Sequence, residues 1–192
     1  MVNQLRPALV MTALFTLLLG LAYPLAVTGV AQLAFPDQAN GSLVRDAGGR
    51  VVGSALVGQP FVGATYLHPR PSAAGKSYDA SASSGSNLGP LNPDLAARVA
   101  ESARAIRAED GPGAIPPDAV TTSGSGLDPD ISPAYARLQA ARIARARGVS
   151  VQQVHSIIDA HIEGAFLGFI GQPHVNVLMT NRALDARFGA EG

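Results

Sequence analysis

The sequence predicts an α+β fold: one N-terminal transmembrane helix followed by a single soluble α+β domain. Three observations carry that prediction. Ala8 to Phe35 are 28 consecutive residues without a formal charge. Beyond them, short β-branched runs alternate with helices that start at proline. Residues 36–192 are enough for one hydrophobic core and too few for several. The expected division is a short tail at 1–7, a membrane helix at 8–35 and a soluble domain at 36–192.

As a helix, the uncharged run would extend about 42 Å, against a hydrocarbon core of about 30 Å. Pro24 lies inside it and removes one intrahelical hydrogen bond, so a kink is expected there. A cleaved signal peptide is the rival reading, with Gly29-Val30-Ala31 as its small-residue site. The run far exceeds the roughly 7–15 apolar residues of such a peptide, which favours an uncleaved anchor. Charge leaves orientation nearly tied, since Arg6 precedes the run while Arg45 and Arg50 follow it. Thr12, Thr16 and Gly20 recur every four residues and so share one helix face, which suits close approach of a partner helix. They also fit the ordinary small-residue content of membrane helices.

The soluble part begins with a hairpin, Leu43-Val44-Arg45 and Arg50-Val51-Val52 flanking the turn Asp46-Ala47-Gly48-Gly49. Phe61 to Leu67 reads as a further strand. Asn92 and Pro93 open a helix to about Glu109, with Leu95, Val99, Ala103 and Ile106 on one side and Gly111-Pro112 as its stop. Ser132 and Pro133 open another to about Arg147, closed by Gly148, with Arg142, Arg145 and Arg147 near the negative end of its dipole. Ser150 and Gln153 form a capping box for a third, whose buried side is Val151, Val154, Ile158 and Ile162. Val175 to Met179 reads as a closing strand.

Composition excludes several functions. There are 14 basic and 14 acidic residues, so the chain lacks the basic footprint of a nucleic-acid binder. With no Cys, disulfides, thiolate metal sites and thiol nucleophiles are ruled out. Ala74-Gly75-Lys76-Ser77 resembles the end of a phosphate-binding loop, but Arg70 stands where its first Gly is required. His161 and Glu163 lack the further ligands of a zinc deaminase, and His155 with Asp159 reads as a solvated or core-edge pair. No Gly-x-Ser-x-Gly elbow nominates a nucleophile, so no catalytic residue and no metal ligand is assigned.

One short pattern occurs twice: Ser84-Gly85-Ser86-Asn87-Leu88-Gly89-Pro90 and, 39 residues on, Ser123-Gly124-Ser125-Gly126-Leu127-Asp128-Pro129. Each copy precedes a capped helix start. A flexible turn there can cradle an anion or simply join two elements, and the proline-bearing starts favour turn and capping chemistry.

These segments, with Tyr66-Leu67-His68-Pro69-Arg70-Pro71-Ser72, Thr122 to Pro133, His161-Ile162-Glu163-Gly164 and Leu167 to Leu178, resemble the C subunit of the Kdp-type potassium-transporting ATPase. The matches follow in order along essentially the whole chain. The resemblance implies an accessory subunit of an ATP-driven potassium import complex, not itself an enzyme. Its partners would be a channel-like potassium-selecting subunit, a P-type ATPase subunit, a small membrane subunit and the lipid bilayer. It implies a bacterial-type inner membrane location, with a cytoplasmic N-terminus and an extracytoplasmic domain. The chain agrees in having no Asp-Lys-Thr-Gly-Thr phosphorylation motif and no Thr-Val-Gly-Tyr-Gly filter.

For the C subunit, the resemblance implies assembly or stabilisation of the complex, and also a role as a catalytic chaperone that raises the pump subunit's ATP affinity. No cofactor is intrinsic, and ATP is the one candidate ligand. Its matching contacts would be Ser83, Ser84, Gly85, Ser86 and Asn87, with Gln139 at the base. Ser84 stands where the family form has a glycine, which weakens that contact. An external domain would also not meet cytosolic ATP. The alternative function is a membrane-anchored solute-binding module or enzyme acting alone.

Overall fold

The computed structural model describes residues 2–189; Met1, in the expected tail, lies outside them. The chain divides into two compact units, Met1–Val52 and Gly53–Gly192. The first unit is led by one continuous helical rod: α1 (Val2–Leu17), a π-helical turn (Leu18–Ala22) and α2 (Tyr23–Ala34). Helix therefore begins at Val2 and takes in most of the segment expected to be a tail. Asn3–Ala34 is long and apolar enough to cross a membrane, and its apolar window is entirely unburied.

Pro24 explains the π turn. It has no N–H to give to Gly20, and its ring crowds that carbonyl, so the preceding turn widens. The Tyr23 N–H bonds the Leu18 carbonyl, five residues back. After α3 (Pro36–Ala39), the hairpin forms where expected, as β1 (Leu43–Arg45) and β2 (Val51–Ser54). Its turn is held by the Asp46 carboxylate, which accepts from the Gly48 and Arg50 N–H groups, each at 2.9 Å.

The second unit contains α4 (Pro93–Asp110), α5 (Pro117–Val120), β3 (Asp130–Ile131), α6 (Pro133–Arg147), α7 (Val151–Ala160), β4 (Ile162–Glu163), β5 (His174–Asn176) and α8 (Val177–Phe188). Its sheet is antiparallel in the order β3-β5-β4, and Val175 pairs with Ile131 on one side and Ile162 on the other. The helix caps are those expected. Asn92 accepts from Asp94 N at 2.8 Å, Ser132 from Tyr135 N at 3.1 Å, and Ser150 and Gln153 close a reciprocal capping box. Gly148 ends α6 at φ 66°, a conformation that favours glycine.

The core lies between α6, α7, α8 and the sheet, with Ile143, Val154, Ile158, Val175 and Leu184 fully buried. Ala136, Ala140 and Ala144 form a buried stripe along α6 at four-residue spacing. Small side chains there let neighbouring elements sit close to the helix backbone.

Two expected strands are corrected. Residues 61–67 form no ladder: Gly63 to Tyr66 make a turn, and side chains rather than a neighbouring strand take up both backbone groups of Leu67. In the Val175–Met179 segment only Val175 and Asn176 are strand, because the Asn176 side chain accepts from Met179 N at 3.1 Å and caps α8. The buried side of α7 is also narrower than expected: Val154 and Ile158 are buried, Val151 is exposed and Ile162 belongs to β4.

Candidate functional site

The two Ser-Gly copies are not separate cradles; they pack on each other. The Ser84 N–H donates to the Ser125 carbonyl at 3.0 Å, and the Ser83 hydroxyl donates to that same carbonyl at 3.0 Å. A Cβ on Gly85 would lie 3.1 Å from the Gly124 carbonyl oxygen. Gly126 sits deeper, at φ 66°, and a Cβ there would lie 2.6 Å from the Ser84 oxygen and 2.7 Å from the Ala74 nitrogen. Only glycine fits that position without moving backbone. The Ser72 hydroxyl completes the join by donating to the Gly126 carbonyl at 2.6 Å while accepting from Ala74 N and Tyr78 N.

The first copy stays on the surface. Ser83, Ser84 and Asn87 are exposed, Gly85 and Ser86 half-buried, and Asn87 is left-handed at φ 53°. Gln139 is elsewhere in the fold's economy: it is fully buried, its Oε1 accepts from His68 N at 2.7 Å and from Arg142 Nη2 at 2.7 Å, and its Nε2 donates to the His68 carbonyl at 3.1 Å. Its amide thus joins His68 to Arg142 within the scaffold. In the helical rod, a Cβ on Gly20 would lie 4.0 Å from Thr16 Cγ2, so these two members of the small-residue face are neighbours even across the π turn.

A side-chain clamp around residues 63–68 was not expected from the sequence. Asn181 mimics a strand edge: its Oδ1 accepts from Leu67 N at 2.7 Å and its Nδ2 donates to the Leu67 carbonyl at 3.0 Å. Gln139 does the same for His68. Arg142 donates to the carbonyls of Ala64 and Tyr66, each at 2.9 Å, and pairs with Asp110 at 2.8 Å, both charges being buried. Arg147 donates to the Thr65 carbonyl at 2.8 Å and to Asp185 at 2.7 Å, with its guanidinium 5.1 Å from the Tyr66 ring centroid. The turn at Gly63–Tyr66, closed by Tyr66 N donating to the Gly63 carbonyl at 3.1 Å, is thus held through its carbonyls by arginines, and Leu67 and His68 have ladder-like hydrogen bonding without a partner strand.

Beside the clamp is a cleft of about 360 Å³, bordered by Phe61, His68, Arg70, Tyr78, Glu109 and Tyr135. Burial, and next the Arg142 charge, hold the His68 imidazole below its ordinary value. Burial pushes the Tyr78 and Tyr135 phenols up. Tyr78 donates its hydroxyl to the Arg70 carbonyl, and Arg70 pairs with Asp128 at 2.7 Å. Burial likewise raises Asp130, against the opposing pull of His174. Asp159 bonds Arg137 at 2.7 Å, so the His155 and Asp159 pair is joined to a cation already in the protein. Among the described residues no three His, Asp or Glu side chains cluster as metal ligands.

The family described as KdpC: K+-transporting ATPase, c chain matches residues 5–186. The potassium-transporting ATPase KdpC subunit of Caulobacter vibrioides (strain NA1000 / CB15N) is 69% identical over 188 residues, covering 98% of this chain and 95% of its own. That of Caulobacter sp. (strain K31) is 66% identical over 192 residues, covering 100% and 98%. That of Mycobacterium tuberculosis (strain ATCC 25177 / H37Ra) is 56% identical over 186 residues, covering 95% and 98%. With the membrane-length helix, the α+β unit and these matches along nearly its full length, the chain belongs to the KdpC family, the c chain of K+-transporting ATPases.

Proposed function

We propose that this chain is a structural accessory of the potassium pump: its helical rod spans the membrane and packs on the complex's membrane subunits, and its second unit docks outside the cytoplasm on the potassium-selecting subunit. The observation that carries this reading is the unburied apolar rod, Asn3–Ala34, joined to a unit whose buried polar side chains serve its own scaffold. Arg142, Arg147, Gln139 and Asn181 all hold residues 63–68. Such a chain contributes surface and rigidity; ion selection and phosphoryl transfer belong to its partners.

Under this reading the Thr12, Thr16 and Gly20 face is the packing face. Affinity purification of the complex in mild detergent, with and without this chain, tests it. Loss of the chain should release partner subunits and abolish potassium-stimulated ATP hydrolysis; an intact, fully active complex would refute the proposal.

The catalytic-chaperone role makes a separable claim. It requires the Ser83–Asn87 loop, with Gln139 at the base, to contact nucleotide. ATP titration of the complex carrying Ser86→Ala and Asn87→Ala tests that claim, and an unchanged apparent ATP affinity counts against the loop.

A further inference from the structure

The turn between β4 and β5 carries the most concentrated exposed apolar surface of the second unit. Phe166, Leu167, Phe169 and Ile170 are between 50% and 77% exposed. No charged side chain lies between Glu163 and the end of β5 at Asn176, apart from what protonation gives His174. The turn is also closed on itself: Phe166 N donates to Ile170 O at 2.8 Å, Ile170 N to Phe166 O at 2.9 Å, Gly168 N to Ala165 O at 2.9 Å and Phe169 N to Phe166 O at 3.3 Å. Leu167 at φ 53° and Gly168 at φ 81° form its tip.

We propose that this turn inserts into the phospholipid surface. Three features favour lipid over a protein groove. The exposed side chains are wholly apolar, so they offer a partner no hydrogen bond or charge to read. The tip's N–H groups at 166, 168, 169 and 170 are bonded internally, which lowers the cost of taking backbone out of water. Finally, only residues 35–52 separate the end of the helical rod from the second unit, so a short tether keeps the domain at high local concentration near any bilayer the rod crosses. This inference rests on the reading of Asn3–Ala34 as a membrane span.

The chain has neither Trp nor Cys, so a single tryptophan reports without background. Full-length Phe169→Trp, Leu19→Trp and Leu91→Trp variants are to be reconstituted separately in phosphatidylcholine vesicles brominated at graded depths. Leu91 lies in the second unit and is 96% exposed, so it serves as the solvent reference. The expected result is quenching of Leu19→Trp at the deepest bromines and of Phe169→Trp about 5–10 Å below the headgroup boundary, with Leu91→Trp unquenched. Adding Phe166→Asp to Phe169→Trp should abolish its quenching while far-UV dichroism stays unchanged.

If Leu19→Trp is quenched but Phe169→Trp behaves like Leu91→Trp, lipid insertion is overturned and the span stands. Quenching of all three also overturns it, because the turn is then not selected. An unquenched Leu19→Trp overturns the span and the insertion together. Phe169→Trp shielded from soluble iodide in the purified complex, yet unquenched by bromolipid, assigns the turn to a neighbouring subunit instead.

Discussion

Residues 63–68 and the Ser83–Asn87 loop are both irregular segments in the same unit, yet they are fixed in opposite ways. The first is clamped by long side chains from α6 and α8, two of them arginines and two of them amides, and Thr65 and Leu67 are buried. The second is held to its sister copy mainly by backbone contact, with the Ser83 hydroxyl added, and leaves Ser83, Ser84 and Asn87 on the surface. A clamp of buried charges fails steeply when one member is removed, because the rest are stranded without water. A surface loop joined mainly through its backbone tolerates most side-chain changes and is least tolerant where backbone must pass close.

The sharpest way to break this contrast is Arg142→Ala. It strands buried Asp110 and two carbonyls, and thermal or denaturant unfolding should show a loss of about 3–5 kcal/mol. Asn181→Leu comes next: it keeps the volume but leaves the Leu67 N–H and C=O unpaired, at about 2–4 kcal/mol. In the other region the largest effect belongs to Gly126→Ala, where left-handed backbone and the 2.6 Å approach to the Ser84 oxygen combine. A loss of about 1–3 kcal/mol is expected there.

A smaller effect is expected from pH. Burial holds His68 below the ordinary imidazole range, so the folded state binds fewer protons than the unfolded one between the lowered value and about 6.5. Stability should therefore fall as pH drops from 6.5 through that window, and unfolding of His68→Gln should lack this part of the slope. Ser86→Ala should be the mildest change, within about 0.5 kcal/mol of the parent, since it is a partly exposed side chain outside the loop-to-loop bonds.

How far each region was legible in the sequence follows from the range of its contacts. The caps at Asn92, Ser132 and Ser150 and the turn at Asp46 are local, and each was readable from residues within four positions. The clamp joins positions 71 to 114 residues apart, so nothing around Phe61 distinguished a clamped turn from a strand. Arg142 and Arg147 were readable only as complements to the dipole of α6; the structure turns both back to carbonyls of another segment. The helix α8 had a signal that β-branched Val175 and Val177 obscured: Val177, Thr180, Asn181 and Leu184 recur at helical spacing and are all buried. The pairing of the two Ser-Gly copies is likewise a tertiary fact, although their repetition was plain.

The central claim, that the rod packs on partner membrane subunits through its small-residue face, is tested most directly by purifying the complex with a Thr16→Leu and Gly20→Leu chain in mild detergent. The expected result is loss of most partner subunits while the thermal unfolding of the second unit is unchanged. Full recovery of the partners, with potassium-stimulated ATP hydrolysis at the parental level, would contradict it.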